Sequence, residues 1–278
     1  MSMEQVLRQA MMAIRGVKLP ELPAELIALE SELQSKFASS RSIAAIIEKN
    51  TTLSGEVLRV ANSPAMKLKG ECKTIADAVS NLGFNNIRNL VASVLLEKMF
   101  NSNQAYKDIM AHGVDVAFCM AELSEWVSDV SRDEAYMLGL FHNSGCLMFA
   151  TKDADNYVKL FQSAHSQPHL ILEKEEQMYG SHHAAVGVLL GKKWHLPVDM
   201  LSAILLHHNP ECASINNDKV RALVAMIKVA NSVVSEVSFG AYCGQEMKDY
   251  KQDGMQELMI DSDVVSDLRN GLIAFSNT

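Results

Sequence analysis

The run Leu138-Gly139-Leu140-Phe141-His142-Asn143-Ser144-Gly145 sets a histidine beside an amide in the middle of an apolar helical pattern. A His-Asp step there would offer a divalent ion an imidazole nitrogen and an anionic oxygen. His142-Asn143 offers nitrogen and a neutral carbonyl, a weaker pull on hard cations. All nine histidines lie between His112 and His208, so whatever pocket they form belongs to the second part of the chain.

Working outward from this run, the apolar spacing is helical almost everywhere and no strand alternation competes with it. One helix is predicted over 133–151, with neighbours over 105–127, 155–164, 169–179, 182–195, 198–208, 219–239 and 261–275. Pro197 suits a first helical turn and Pro210 a helix end. Toward the N-terminus the helices are shorter. Those over 42–49 and 54–61 meet near Thr51, 74–82 is capped by Thr74 or its neighbour and stopped by Gly83, and 85–99 follows. A first helix over 4–17 carries an apolar stripe that needs covering, so it is expected to dock on another element. The polar stretch Asn101-Ser102-Asn103-Gln104 is the best boundary, dividing a lobe of short helices (1–103) from a histidine-bearing lobe (104–278). The fold class expected is all-α.

Composition narrows the function. The chain has 278 residues, 48% of them hydrophobic, enough for a substantial core. It has no apolar run near the ~20 residues that span a bilayer. It also shows no signal-peptide pattern, so a cytoplasmic location is expected. The five cysteines are scattered without a Cys-x-x-Cys pair, which argues against a disulfide framework or zinc knuckle and for reduced, mostly buried thiols. Net charge is -8: residues 1–100 carry 12 basic against 10 acidic side chains, and residues 101–278 carry 13 against 23. No concentrated basic surface is evident, so nucleic acid is not an expected partner. The pair of helices around 42–63 could be read as a helix-turn-helix, but its second helix has Arg59 as its one cation and also Glu56. Packing within a bundle is the better reading. The sixteen methionines are read as core filling.

The apolar run with His142-Asn143 resembles the helix that carries His-Asp in the HD superfamily of metal-dependent phosphohydrolases. The wider chain resembles the HDOD branch of that superfamily, found in bacterial signalling proteins. Carrying the match are Leu19-Pro20-Glu21-Leu22-Pro23, Leu58-Arg59-Val60-Ala61-Asn62-Ser63, the segment from Thr74 to Gly83, Gly180 to Gly187 with His183, Trp194-His195-Leu196-Pro197 and His207-His208-Asn209-Pro210. Together they span about 19–231. The resemblance implies a pocket built from His112, the step His142 and Asn143, and Asn231 where a later Asp belongs. His183 and either His207 or His208 match positions that serve additional metals in some members. It further implies a lobe of short helices packed on a degenerate HD-like lobe, and a regulatory rather than catalytic role.

The residues support the same expectation independently. With amides at Asn143 and Asn231, two negative charges are missing, hard ions such as Mg²⁺ or Mn²⁺ should bind poorly, and a histidine-only Zn²⁺ or Ni²⁺ site is the remaining alternative. No nucleophile-base pair replaces the metal-activated water that hydrolysis requires. No catalytic residue, resident metal or cofactor is therefore expected. The pocket candidates are His112, His142, Asn143, His183, His207, His208 and Asn231, serving a signalling protein partner or a small anionic ligand. The rival reading is a metal-dependent phosphohydrolase acting on a nucleotide or related phosphoester. His112 could equally be a buried, hydrogen-bonded core histidine, and His165, His169 and His195 are read as surface or packing residues. Neighbours on a helix are ~100° apart, so His182-His183 and His207-His208 are not expected to turn inward together.

Overall fold

A computed structural model of the chain describes residues 3–100, 104–164, 166–239 and 244–276, and among these every regular element is a helix. The expected boundary stretch lies largely outside the described residues, as do His165 and Cys243. The other four cysteines are free and buried.

The first group of helices is α1 (Met3–Ala13), α2 (Ala24–Leu33), α3 (Ser40–Ile47), α4 (Thr51–Ala61), α5 (Ile75–Leu82) and α6 (Phe84–Phe100). Their ends follow local chemistry. Ser39 and Thr74 close capping boxes on α3 and α5, Asn50 accepts from the Leu53 amide to start α4, and Gly83 ends α5 at φ 88°. The turn expected at Thr51 therefore sits just before it, with Asn50 as the cap. Helices α2 to α6 pack on one another, while α1 crosses the molecule to lie on α12 (His183–Lys193). Arg59 is engaged by Glu56 at 2.7 Å and Glu97 at 3.4 Å, leaving that face without a spare cation from this residue.

The histidine-bearing part comprises α7 (Gln104–Leu123), α8 (Arg132–Phe141), α9 (Ser144–Lys152), α10 (Ala154–Ala164), α11 (Pro168–Tyr179), α12, α13 (Val198–Leu206), α14 (Asp218–Phe239), α15 (Gln245–Leu258) and α16 (Ser262–Ser276). The single helix predicted over 133–151 is two. The chain leaves the helical conformation at Asn143 (φ -101°, ψ 18°), so the His-Asn step forms the joint between α8 and α9. Pro197 caps α13 from outside rather than sitting in its first turn. Helices α2 and α15 are additions to the sequence reading. Glycine permits the closest crossings: a Cβ on Gly139 would stand 2.4 Å from Ala117 Cα, and one on Gly145 would stand 2.0 Å from the His183 carbonyl oxygen. These contacts bring α8 onto α7 and α9 onto α12.

Two sequence segments far apart in the chain tie the N-terminal helices to α12. Arg88 holds Glu30 at 2.5 Å and the Trp194 carbonyl at 2.8 Å, and the Trp194 indole donates to the Pro20 carbonyl at 3.3 Å. His195 is exposed and pairs with Glu30 at 2.9 Å. The Leu19-Pro20 and Trp194-His195 segments thus form one structural joint. Likewise Asn62 exchanges hydrogen bonds with the Cys72 backbone at 2.7 and 2.9 Å, which fixes the chain between α4 and α5.

Candidate functional site

The seven pocket candidates converge. His112 projects from α7, His142 and Asn143 from the α8–α9 joint, His183 from the first turn of α12, His207 and His208 from the end of α13, and Asn231 from α14. His142 and His207 are fully buried, His183 is nearly so, and His112, Asn143 and Asn231 are at most 9% exposed. Ring centroids step from His112 to His142 at 5.9 Å, to His207 at 5.4 Å and to His183 at 5.2 Å, with His208 tilted at 47° and 4.1 Å from His207.

His207 and His208 both turn inward, contrary to the helical-separation argument. The reason is local: α13 ends at Leu206, His207 is its C-cap, and His208 lies in the following turn, where the 100° rule no longer applies. His183 Nε2 lies 3.2 Å from His207 Nε2 and 3.0 Å from His208 Nε2. His182 caps α12, accepting from the Ala185 amide, and stays half-buried. His169 is exposed.

Hydrogen bonds fix most of the tautomers. His142 Nδ1 donates to the Gly139 carbonyl at 2.6 Å, so its Nε2 carries a bare lone pair, and that atom is buried without a partner among the described residues. His207 Nδ1 donates to the Ile204 carbonyl at 2.7 Å. His183 Nδ1 faces the Glu175 oxygens at 2.8 and 3.0 Å, and the same carboxyl takes the His183 amide at 2.7 Å and the Tyr157 hydroxyl at 2.5 Å. Glu175 is fully buried on α11 and was not foreseen, because it sits in the charged run Glu173-Lys174-Glu175-Glu176, which reads as a solvated face. Tyr250, on the unforeseen α15, donates to the His207 carbonyl at 2.5 Å.

The charge pattern follows from burial. Desolvation holds His142 down at about 4, and with the neighbouring imidazoles it holds His207 and His208 well below the usual histidine range. Burial also pushes His183 down, but Cys146 and Glu175 outweigh it and leave His183 well above that range.

Two of the groups that would face a hard metal satisfy each other instead: His112 Nε2 donates to Asn231 Oδ1 at 2.9 Å. With that oxygen engaged and Asn143 neutral, the His112, His142, Asn143 and Asn231 set does not fit a Mg²⁺- or Mn²⁺-type ion. Asn143, His183, His208, Asn231 and Tyr250 line a cavity of about 10 Å³, the room of one water. A larger cavity of about 420 Å³ opens on the outer side of His112, between Asp108, Asp115, Phe161 and Gln162.

Asp115 offers a test of that outer cavity. Burial pushes its carboxyl up from 3.8 to about 6. A carboxyl raised on folding opposes folding once the pH exceeds its unfolded value, because the unfolded chain then ionises more readily. Asp115→Asn is therefore expected to stabilise the protein at pH 7 by roughly 1 kcal/mol after solvent screening, with the gain disappearing near pH 4. Urea unfolding at both pH values checks this; equal effects at the two would show that desolvation is not the cause.

Comparison with known proteins identifies the family and the fold. A model of the HDOD domain family matches residues 19–210. An uncharacterised protein of Treponema pallidum (strain Nichols) is 24% identical over 229 residues, covering 81% of this chain but 44% of its own length, so the chain spans less than half of that relative. Among solved structures, an HDOD domain protein of unknown function from Geobacter sulfurreducens superposes with a TM-score of 0.68 at 20% identity, covering 99% of both chains. A candidate phosphohydrolase from Shewanella amazonensis SB2B gives 0.67 at 20% identity, over 98% of this chain and 93% of its own. A candidate signal transduction protein from Marinobacter aquaeolei VT8 gives 0.69 at 21% identity, over 98% of this chain and 63% of its own. At these identities the structural likeness is one of fold. Among the described residues no helix is long and apolar enough to cross a membrane.

Proposed function

We propose, from the premise that this chain belongs to the HDOD domain family, that it is a regulatory module that binds a signalling partner protein and does not hydrolyse phosphoesters. The observation that carries this reading is the His112–Asn231 hydrogen bond at 2.9 Å, together with the amide at Asn143. Residues placed to hold and charge-balance a catalytic ion are neutral, and two of them are spent on each other. Without a metal-held water there is no nucleophile at the site. A small anionic ligand would first need the cavity of about 10 Å³ to open, which favours a protein partner.

The test is hydrolysis of bis(p-nitrophenyl) phosphate and p-nitrophenyl phosphate in Mn²⁺, Fe²⁺, Ni²⁺ and Zn²⁺. No turnover above the free-metal rate is expected. Metal-dependent turnover abolished by His142→Ala would sink the regulatory reading and favour the alternative, a phosphohydrolase of a nucleotide or related phosphoester.

That alternative has one observation on its side, the bare Nε2 of His142 aimed into a histidine-lined site. If the geometry is inherited, Asn143→Asp with Asn231→Asp should restore Mn²⁺ binding that neither single change gives, since two anionic oxygens are needed to compete with hydration. Titration calorimetry of all four proteins checks this; Mn²⁺ uptake by the unmodified chain would show that the amides do not disable the site.

A further inference from the structure

We infer that the cavity of about 420 Å³ on the outer side of His112 binds an aliphatic diamine or polyamine, with Asp115 holding one ammonium group and Asp108 another. The site uses neither the His142-Asn143 step nor the histidines of α12 and α13, and His112 enters only as part of its wall. It needs no catalysis and no protein partner, so it is independent of the partner-binding reading.

Three helices build the cavity. Helix α7 supplies Asp108, Ala111 and Asp115 beside His112, α10 supplies Phe161 and Gln162, and α14 supplies Ser238. Its volume falls within the roughly 300–1,000 Å³ of small-molecule sites. Residues three, four and seven apart share one face of a helix. Asp108 and Asp115 therefore stand on the same side of α7, with Ala111 and His112 between them.

Asp115 is the telling residue. A carboxyl drawn partly out of water normally gains a donor or a cation. Asp115 is half-buried, yet among the described residues it has neither a hydrogen-bond nor an ion-pair partner. Its burial works against stability and no contact of the fold employs it, so a ligand accounts for its place in the wall. Asp108 is the more exposed of the two, and its Oδ2 accepts from Gln162 Nε2 at 2.6 Å, which steadies the carboxylate at the rim.

Charge and spacing select the ligand. Among the described residues no lysine or arginine lines the cavity, so a phosphoester or other anion would meet two carboxyl groups without a counter-charge. Ser238 lies in the last turn of α14, where the helix dipole adds partial negative charge. A single metal ion does not fit. Seven residues of helix separate the two Cα atoms by about 10.5 Å, whereas oxygen ligands sit roughly 2–2.6 Å from a hard ion. That span calls for two positive charges joined by a chain. Ala111 and the buried Phe161 ring offer apolar surface to the methylene groups, and a charge-assisted hydrogen bond fixes each end.

Titration calorimetry of the full chain with putrescine and spermidine, at about 0.15 M salt to screen loose charge pairing, tests the site. One equivalent of amine should bind. Butylamine, with one charge, and butanol, with none, should each bind at least about tenfold more weakly. Asp115→Asn should weaken putrescine binding roughly 10–100-fold. Because the same variant is expected to be more stable than the unmodified chain at pH 7, its loss of binding cannot be put down to unfolding. Asp108→Asn should bring putrescine down to the level of butylamine, and Ala111→Trp, at an exposed position, should block both amines. No binding at millimolar putrescine or spermidine would overturn the inference, as would unchanged binding in Asp115→Asn. Displacement of putrescine by an equal concentration of Mg²⁺ would overturn it in favour of a small-ion site. The phosphoester assay reads the partner-binding proposal separately, and neither result bears on the other.

Discussion

Gly145→Ala is expected to cost about 3 kcal/mol or more, an exceptional loss for a single added methyl group. A Cβ at this position would meet the His183 carbonyl oxygen at 2.0 Å, its carbonyl carbon at 2.7 Å and the Gly187 nitrogen at 2.8 Å. All three are backbone atoms of α12 or its first turn, so no side chain can swing aside and the helices must separate. Overpacking a core ordinarily costs ~1–3 kcal/mol, and a rigid backbone neighbour puts this case at or beyond the upper end. The displaced residue is His183 itself, so the same methyl should also pull its imidazole away from His207. Gly55 supplies the contrast. It lies on the exposed side of α4 with nothing within 4 Å of a built Cβ, and its φ is not positive. Gly55→Ala should stabilise by about 0.5–1 kcal/mol through helix propensity alone. Urea denaturation of the two variants reads the difference, and a Gly145→Ala loss below 1 kcal/mol would show that α9 and α12 are not packed backbone to backbone.

That contact also shows what a sequence can and cannot disclose. The glycine after His142-Asn143-Ser144 was visible as part of a family pattern, yet nothing local says that it meets residue 183. The all-helical character was legible because apolar spacing is a local property, and Thr74 and Gly83 announced the ends of α5 by their chemistry. The break at Asn143 was hidden by the apolar pattern, which continues on both sides of it. Helix α15 was hidden for the opposite reason: its sequence is largely polar, and its buried positions Met247, Tyr250, Gly254 and Leu258 are spread thinly at three- and four-residue intervals. Site membership was accessible one residue at a time, through the resemblance. The pairing of His112 with Asn231, 119 positions apart, and the inward turn of both His207 and His208 depend on tertiary packing that periodicity does not encode.

Asp253→Ala should be the second severe change, and Lys228→Met a mild one at the other end of the same ion pair. Lys228 on α14 is fully buried. Its ammonium meets Asp253 at 2.5 Å and the Pro210 carbonyl at 3.2 Å, and lies 5.0 Å above the Tyr250 ring. Removing the aspartate strands a charge with one carbonyl and one aromatic face, and breaking one side of a buried pair costs about 3–5 kcal/mol. Replacing the lysine by methionine removes the charge and fills the same space. Asp253 keeps the Cys212 amide at 3.0 Å and some access to water, so the cost should be within ~1 kcal/mol. Burial raises the Asp253 pKa, but Cys212 and Lys228 outweigh it and leave the carboxyl below 3.8. Its contribution is therefore present above the unfolded pKa and fades as the pH falls through the lower folded value, so the penalty of Asp253→Ala should shrink below about pH 4. A double-mutant cycle by urea unfolding measures the coupling, with Lys228→Met expected to rescue most of the Asp253→Ala loss. Equal losses from the two single variants, without rescue, would mean that the pair stabilises by attraction and not by relieving a stranded charge. The effect should reach the histidines too, because Lys228 grips Pro210 and Tyr250 grips the His207 carbonyl, on either side of His208. In the Asp253→Ala variant that turn loses its anchor.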